Sequence, residues 1–535
     1  MGGNYSRDLF RQLEEQTEKS ERLEGENRKL RVEVKVLREE VESLNQRMNT
    51  LSTDLDARIA AAVHKAVAPL HSEIKRKDDE IVRLKSIINK DSGNSSKPPS
   101  SDGFKKPVSN SRETSGRKRG GQPGHPGHHL SKPANWEKLK ERDLAEDMVI
   151  DHTQGRRNYV ARCVLDIGLT VKWTEHRYLP GAAELREQPQ PVIYGENIKA
   201  LAILLTTHNV PQERLCECIE EISHGAIRMS EGTLNQIVRR FSEGLDGELE
   251  AIKADLLNGL VMHTDETPMR TTQWEEPGKA DQASTLETSN KKSELAYIRT
   301  HSNAHSTLYT VNRHKDMQGV IRDGILPLYQ GILSHDHDSK YYHFGNEHAT
   351  CGEHLLRDLK GISEGYGCAW PNRMRAFLSE MNTYKKADFK EHPDAAGCGE
   401  EKYHEFSKRY DILVRQGEEE TTRESNQYAR EELRRIVERL RSFKDSYLLF
   451  MKKYIAPFTN NLAERDLRGC KGRQKVSGCF RRCHGIVAFA RIRSFLSTLR
   501  KRGLGIMEAI RSVFAGLPVL AYIPLTTGVL RRGTE

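Results

Sequence analysis

Leu260-Val261-Met262-His263-Thr264-Asp265-Glu266-Thr267-Pro268 is an apolar run that delivers a carboxylate and then meets a proline. Its aliphatic and β-branched start favours an extended strand, and Pro268, which has no N–H to give a ladder, marks its end. Asp265 is therefore expected at a strand end. Two more strand-like runs follow, Leu295 to Thr300 and Thr307 to Val311, separated by a short polar turn. A helix is expected from about Met317 to Leu326, and Gly331-Ile332-Leu333-Ser334-His335-Asp336-His337-Asp338 reads as another strand that ends on carboxylates.

Three consecutive strands, a helix and a fourth strand are the first half of a ribonuclease-H-like α/β fold, in which the first and fourth strands lie side by side. Their end residues then meet. A single aspartate after a strand is ordinarily a turn residue, but two on adjacent strand ends invite a third acid. Pro457-Phe458-Thr459-Asn460-Asn461-Leu462-Ala463-Glu464-Arg465-Asp466-Leu467-Arg468 supplies one. Pro457 and the Thr459, Asn460 and Asn461 cluster offer a turn and N-cap oxygens for a helix that carries Glu464 in its first turns. Glu464, Arg468 and Lys471 fall at i, i+4 and i+7, so one acid and two bases share a stripe, with Arg465 beside it. Alone, that stripe would be a solvated salt-bridge face. Set against Asp265 and Asp336, with Asp338 equally placed by spacing, it completes the carboxylate cage of a two-metal phosphoryl-transfer site. Mg²⁺ is hard and prefers oxygen ligands, which explains the residue type.

The remainder of the chain suits a polyanionic partner. Its 535 residues are too many for one core, 30% are charged, and the net charge of +9 is bunched. Leu23, Leu30, Leu37, Leu44 and Leu51 repeat every seven residues, with Val34, Val41, Met48 and Leu55 at the other core position. Such a seam predicts a parallel coiled-coil dimer over residues 1–90, with Asn27 fixing register. Around Ile59 to Val67 the phase slips through an Ala-rich segment before helix resumes. Residues 91–134 are a basic Ser/Pro/Gly-rich linker, with eight Lys or Arg against two acids between Lys97 and Lys132. Arg117, Lys118 and Arg119 lie within it and are candidate phosphate contacts; the bland alternative is a solvated tether. Short apolar alternation at Tyr159 to Leu165 and Leu169 to Trp173 suggests a small strand-rich unit over 135–190. Residues 191–258 read as three short helices, either a helix-turn-helix reader or a plain support, with Ser230 opening the last. The core is expected over 259–475, with a helical insertion at about 350–450, and a helical region over 476–535.

Nine scattered cysteines form neither a disulfide framework nor a complete zinc signature. Cys216 and Cys218 read as helix core, Cys351-x-x-His354 is at most half a metal site, and Cys470, Cys479, Cys483 and His484 match no standard zinc module. No run approaches a membrane span and no apolar leader is present, so the expected location is cytoplasmic and nucleoid-associated.

Asp265-Glu266-Thr267-Pro268, His335-Asp336-His337, Cys351 to Leu359, and Pro457 through Arg482 together resemble the insertion-sequence-sixty-six family of DDE transposases. The coil, Asn94 to Ser100 and Gly120 to His128 are similar to that family's N-terminal half. The resemblance implies a ribonuclease-H-like core that cuts and joins its own element's ends. Asp265, Asp336 and Glu464 match the metal-binding catalytic acids, and Asp338 is the reserve for the second. It further implies Mg²⁺, with Mn²⁺ able to substitute, and contacts to DNA from Arg465, Arg468, Lys471, Arg473 and Lys475. The expected partners are the terminal repeats, target DNA, a second copy of the chain and accessory transposition proteins. Cys351 and His354 correspond to a family element after the fourth strand, either near the site or in the core. Only Cys163 stands where the family carries paired cysteines, so zinc is not expected and the 135–190 unit reads as degenerate. The alternatives are a decayed or repurposed DNA-binding coiled-coil protein and a ribonuclease-H-like nuclease without strand transfer.

Overall fold

A long helix, α1 (Tyr5–Ile88), opens the chain. It runs unbroken through Ile59 to Val67 and carries Pro69 in its interior, so the expected slip in apolar phase does not interrupt the helix itself. Leu23, Leu30, Leu37, Leu44 and Leu51 are between 51% and 68% exposed along it, so the described residues leave the seam uncovered. The structure, a computed structural model, describes residues 5–91, 93–95, 170–177, 192–271 and 294–520. It divides into two compact units, one built on α1 and the other carrying the sheet. Arg117, Lys118, Arg119, Cys163 and the Tyr159 to Leu165 run lie outside the described residues. Thr170–Arg177 carries no assigned strand.

Residues 191–258 form four helices rather than three: α2 (Glu196–Thr207), α3 (Gln212–Ile222), α4 (Glu231–Glu243) and α5 (Asp246–Asn258). Ser230 opens α4 as expected, its side chain accepting the Thr233 N–H. Only Gly244 and the buried Leu245 separate α4 from α5, a break too short to interrupt the helical apolar pattern. Strands β1 (Val261–Thr271), β2 (Glu294–Ser302), β3 (Thr307–Asn312), β4 (Ile332–His335) and β5 (Glu347–Thr350) make one mixed sheet. Its order is β3-β2-β1-β4-β5, antiparallel across β1, β2 and β3 and parallel across β1, β4 and β5. The helix between β3 and β4, α6 (Met317–Asp323), stops early because Gly324 takes φ 68°, a left-handed cap that glycine adopts without a Cβ penalty. A short 3-10 turn, Leu326–Leu328, completes the link.

Pro268 does not end β1. The β4 ladder reaches only Val261 to His263 and the next partner on that side, Phe480, pairs only at Thr271, so at Pro268 β1 has β2 alone beside it and a missing N–H costs little on an open edge. Asp265 consequently sits inside β1, just past the last residue that β4 pairs.

Five helices follow the sheet: α7 (Gly352–Tyr366), α8 (Trp370–Glu391), α9 (Glu400–Arg423), α10 (Gln427–Ser442) and α11 (Lys444–Lys452). They bury their own core around Trp370, Tyr410, Leu433 and Leu440. The chain then returns to the sheet with α12 (Asn461–Ser477), α13 (Cys483–Arg502) and α14 (Ile506–Phe514). The two faces of the sheet have different covers. Met262 and Leu333 pack with Ile203, Leu234, Ile252 and Phe495, so α2, α4, α5 and α13 share one core. Met269, Ala296 and Ile298 pack with Leu467, Cys470 and Phe489 of α12 and α13. Because strand side chains alternate, β1 presents Glu266 on the Met262 face and Asp265 on the Met269 face, toward α12.

Candidate active site

The parallel register decides which acids meet. Val261, Met262 and His263 stand opposite Ile332, Leu333 and Ser334, and two more steps of that register set Asp265 beside Asp336, on the α12 face. The electrostatics agree. The Asp265 carboxyl is pushed up to about 8, first by burial and next by the Asp336 charge, with Lys471 opposing and Glu464 adding to the rise. Asp265 also accepts the Glu266 N–H at 2.7 Å. Asp336 is likewise raised, by burial and then by Asp338, and its buried Oδ1 has no hydrogen-bond partner. An orphaned carboxylate oxygen facing a second buried acid suits a hard divalent cation, which would satisfy both.

Asp336 and Asp338 part at His337, whose φ of 74° is rare for a residue with a side chain. Asp338 caps the turn Ser339–His343 and accepts from Lys340 Nζ at 2.7 Å. Burial raises its carboxyl, but the Lys340 contacts outweigh that and hold it below its ordinary range. Asp338 is thus paired with a cation, whereas Asp336 receives backbone N–H groups and keeps Oδ1 without a partner.

Glu266, next to Asp265 but on the opposite face, serves a different network. Arg299, its direct cross-strand neighbour and 1% exposed, donates to it at 2.9 Å and also pairs with Asp323. Lys340 Nζ reaches the same Glu266 carboxylate at 2.8 Å. Lys340 therefore links the strand that carries Asp265 to the turn that carries Asp338. Composition gave no sign of this network, since its members are scattered from 266 to 340.

Asn460 fixes the third acid. It occupies the N-cap position of α12, yet its side chain caps nothing in that helix. Fully buried, it donates to the Thr264 carbonyl at 2.8 Å, and its Oδ1 lies 3.1 Å from His263 Nδ1 and 3.4 Å from Ser334 Oγ. His263 and Ser334 are a register pair on the α12 face, one same-face step before Asp265 and Asp336. Asn460 thereby pins the start of the Glu464 helix over the strands that bear both aspartates. Further along α12, Asp466 accepts from Ser302, Thr307 and Lys501 and ties the helix to β2, β3 and α13.

Glu464 itself lies 3.6 Å from His354 Nδ1 and 3.9 Å from an Arg357 nitrogen. Cys351 is the N-cap residue of α7, and its sulfur accepts the Asn460 N–H at 3.2 Å. Burial pushes the Cys351 thiol up to about 12. Gly352 is pressed against Phe458, whose ring would stand 2.4 Å from a Cβ there, and its N–H bonds the Phe458 carbonyl at 2.8 Å. These contacts bring the N-terminal ends of α7 and α12 together, so Cys351 and His354 join the site rather than a distant core.

Of the expected basic contacts, Arg465, Arg468, Lys471 and Lys475 are exposed on α12. Arg473 is half-buried, with its guanidinium 5.9 Å from the Phe480 ring centre. Cys470 and Cys483 are buried, Cys479 is half-buried and His484 is exposed.

A family model described as Transposase IS66 family matches residues 191–488. A second, described as Family of unknown function (DUF6444), matches residues 11–131. No curated protein and no solved structure matches the chain.

Proposed function

The chain belongs to the Transposase IS66 family, and from that premise we propose that it cuts and joins the ends of its own mobile element by metal-dependent phosphodiester chemistry. The observation that carries this reading is the parallel β1–β4 register, which sets Asp265 against Asp336, together with the orphaned Asp336 Oδ1. The strand order, three antiparallel strands followed by two parallel ones, supports a ribonuclease-H-like core interrupted by the α7 to α11 insertion.

In this reading Asp265, Asp336 and Glu464 hold Mg²⁺, for which Mn²⁺ can substitute. Such ions supply charge neutralisation at the attacking and leaving oxygens of an in-line displacement. Asn460 orients Glu464, and the Glu266, Arg299 and Lys340 network holds the strand and turn on which the aspartates stand. Exposed Arg465, Arg468, Lys471 and Lys475 meet substrate phosphates, and the basic linker adds sequence-independent, salt-sensitive affinity. Water attacks the phosphodiester at the element's end and releases its 3′ hydroxyl, which then attacks a target phosphodiester and displaces that strand's 3′ oxygen, with no covalent link to the protein. The α1 seam pairs two copies of the chain, which suits a reaction that must hold two DNA ends.

The test is cleavage and strand transfer by the purified full chain on DNA carrying the element's ends. Mg²⁺ or Mn²⁺ should support both, and Asp265→Ala should abolish both. Equal activity in Asp265→Ala sinks the site assignment, and cleavage without transfer would reduce the protein to a nuclease.

A further inference from the structure

We infer that Cys351, His354 and Glu464 form a site for one thiophilic divalent ion of the zinc type, with a fourth position left for water. Among the described residues these three offer a sulfur, an imidazole nitrogen and a carboxylate oxygen that all lie within 4.8 Å of one another. The His354 Nδ1 to Glu464 Oε1 separation is 3.6 Å, beyond normal hydrogen-bond range, and Nδ1 is buried without a hydrogen-bond partner. Two ligands bound at about 2.0 Å in a tetrahedron stand roughly 3.3 Å apart, so the observed gap is close to that of a coordinated pair.

Ligand chemistry selects the ion. Sulfur and imidazole favour zinc over magnesium, which prefers oxygen and an octahedron. The surroundings match what such a ligand set requires. The Asn460 N–H points at the Cys351 sulfur at 3.2 Å, a contact that stabilises negative charge on it. Arg357, 3.9 Å from Glu464, is a competing cation that orients the carboxylate from outside the trio. Preorganisation comes from the fold. Cys351 and His354 are one helical turn apart at the start of α7, and the Gly352 to Phe458 contact holds that turn against the segment leading into α12. The spacing Cys351-x-x-His354 was only half a site in sequence; the third ligand arrives from 110 residues away in the chain.

This inference concerns equilibrium binding and does not rest on the transposition chemistry, although Glu464 is shared with it. The test uses the full chain stripped with a chelator, then titrated with Zn²⁺ alone against a chromophoric competitor, and separately with Co²⁺. One Zn²⁺ per chain should bind, Co²⁺ should give a thiolate charge-transfer absorption, and Mg²⁺ should not displace either. Cys351→Ser and His354→Gln should each weaken Zn²⁺ binding by about 100-fold or more, while Cys398→Ser leaves it unchanged. Should Cys351→Ser fail to fold, His354→Gln and the wild-type Co²⁺ spectrum decide the matter. No stoichiometric Zn²⁺ binding, a Co²⁺ complex lacking the thiolate band, or undiminished affinity in folded His354→Gln would each overturn the site.

Discussion

His337, in the left-handed region at φ 74°, sends its two neighbouring aspartates to different tasks. Asp338 goes to the Lys340 ammonium, and Asp336 keeps an unpartnered oxygen beside Asp265. Spacing alone left these two acids equivalent; the ion pair separates them. Asp336→Asn should therefore drop cleavage by about 100-fold or more. Asp338→Asn should stay within about tenfold of wild type while losing about 1 to 3 kcal/mol of stability, as read by urea unfolding. The opposite pattern would make Asp338 the ligand. Asn460 is the second residue whose role depends on where it lies. Its amide bonds β1 and approaches β4 from the start of the Glu464 helix, so Asn460→Ala leaves the buried Thr264 carbonyl without this donor. A loss of about 2 to 4 kcal/mol is expected, together with reduced cleavage, and a variant as stable and active as wild type would remove Asn460 from the positioning scheme.

At the scale of elements, α1 and β1 show opposite relations between pattern and structure. The heptad in α1 is a local signal and the helix is present, but Leu30, Leu37 and Leu44, at 55% to 56% exposed, are left uncovered by the described residues. A second copy would bury them, so the full chain should sediment as a dimer of 61.0 kDa subunits. Replacing Leu30, Leu37 and Leu44 together by Lys should give a monomer; an unchanged mass would show that the seam is not the interface. β1 is recognisable from its apolar start, yet it runs past Pro268 to Thr271. A proline terminates a strand only when both ladders are needed, and whether β4 extends that far is a property of the sheet.

Across the whole molecule, burial rather than pairing governs the response to pH. His263, His301 and His335, on β1, β2 and β4, have their ring pKa lowered by burial, to about 4, about 3 and about 3. The unfolded chain takes up these protons near 6.5 and the folded chain does not, so stability is present above 6.5 and is lost as pH falls toward 4. Each group contributes up to about 1.4 kcal/mol per pH unit over that interval. Asp265, raised to about 8, and Asp336, also raised, act in the opposite sense, but they are two groups against these three histidines and His337, which burial lowers to about 4. The urea midpoint of metal-free protein should accordingly fall between pH 6.5 and 4.5, and a flat profile would contradict the buried neutral histidines. The sequence by itself determined the long helix, the order of strands with one helix before the fourth, and the residue types at Asp265, Asp336 and Glu464, because periodicity and ligand hardness are local properties. Only the tertiary structure decided that Asp338 is occupied by Lys340, that Asn460 serves the strands rather than its own helix, and that Cys351 and His354 converge on Glu464. Those outcomes depend on register between strands and on the docking of helices far apart in the chain, and no local propensity encodes them.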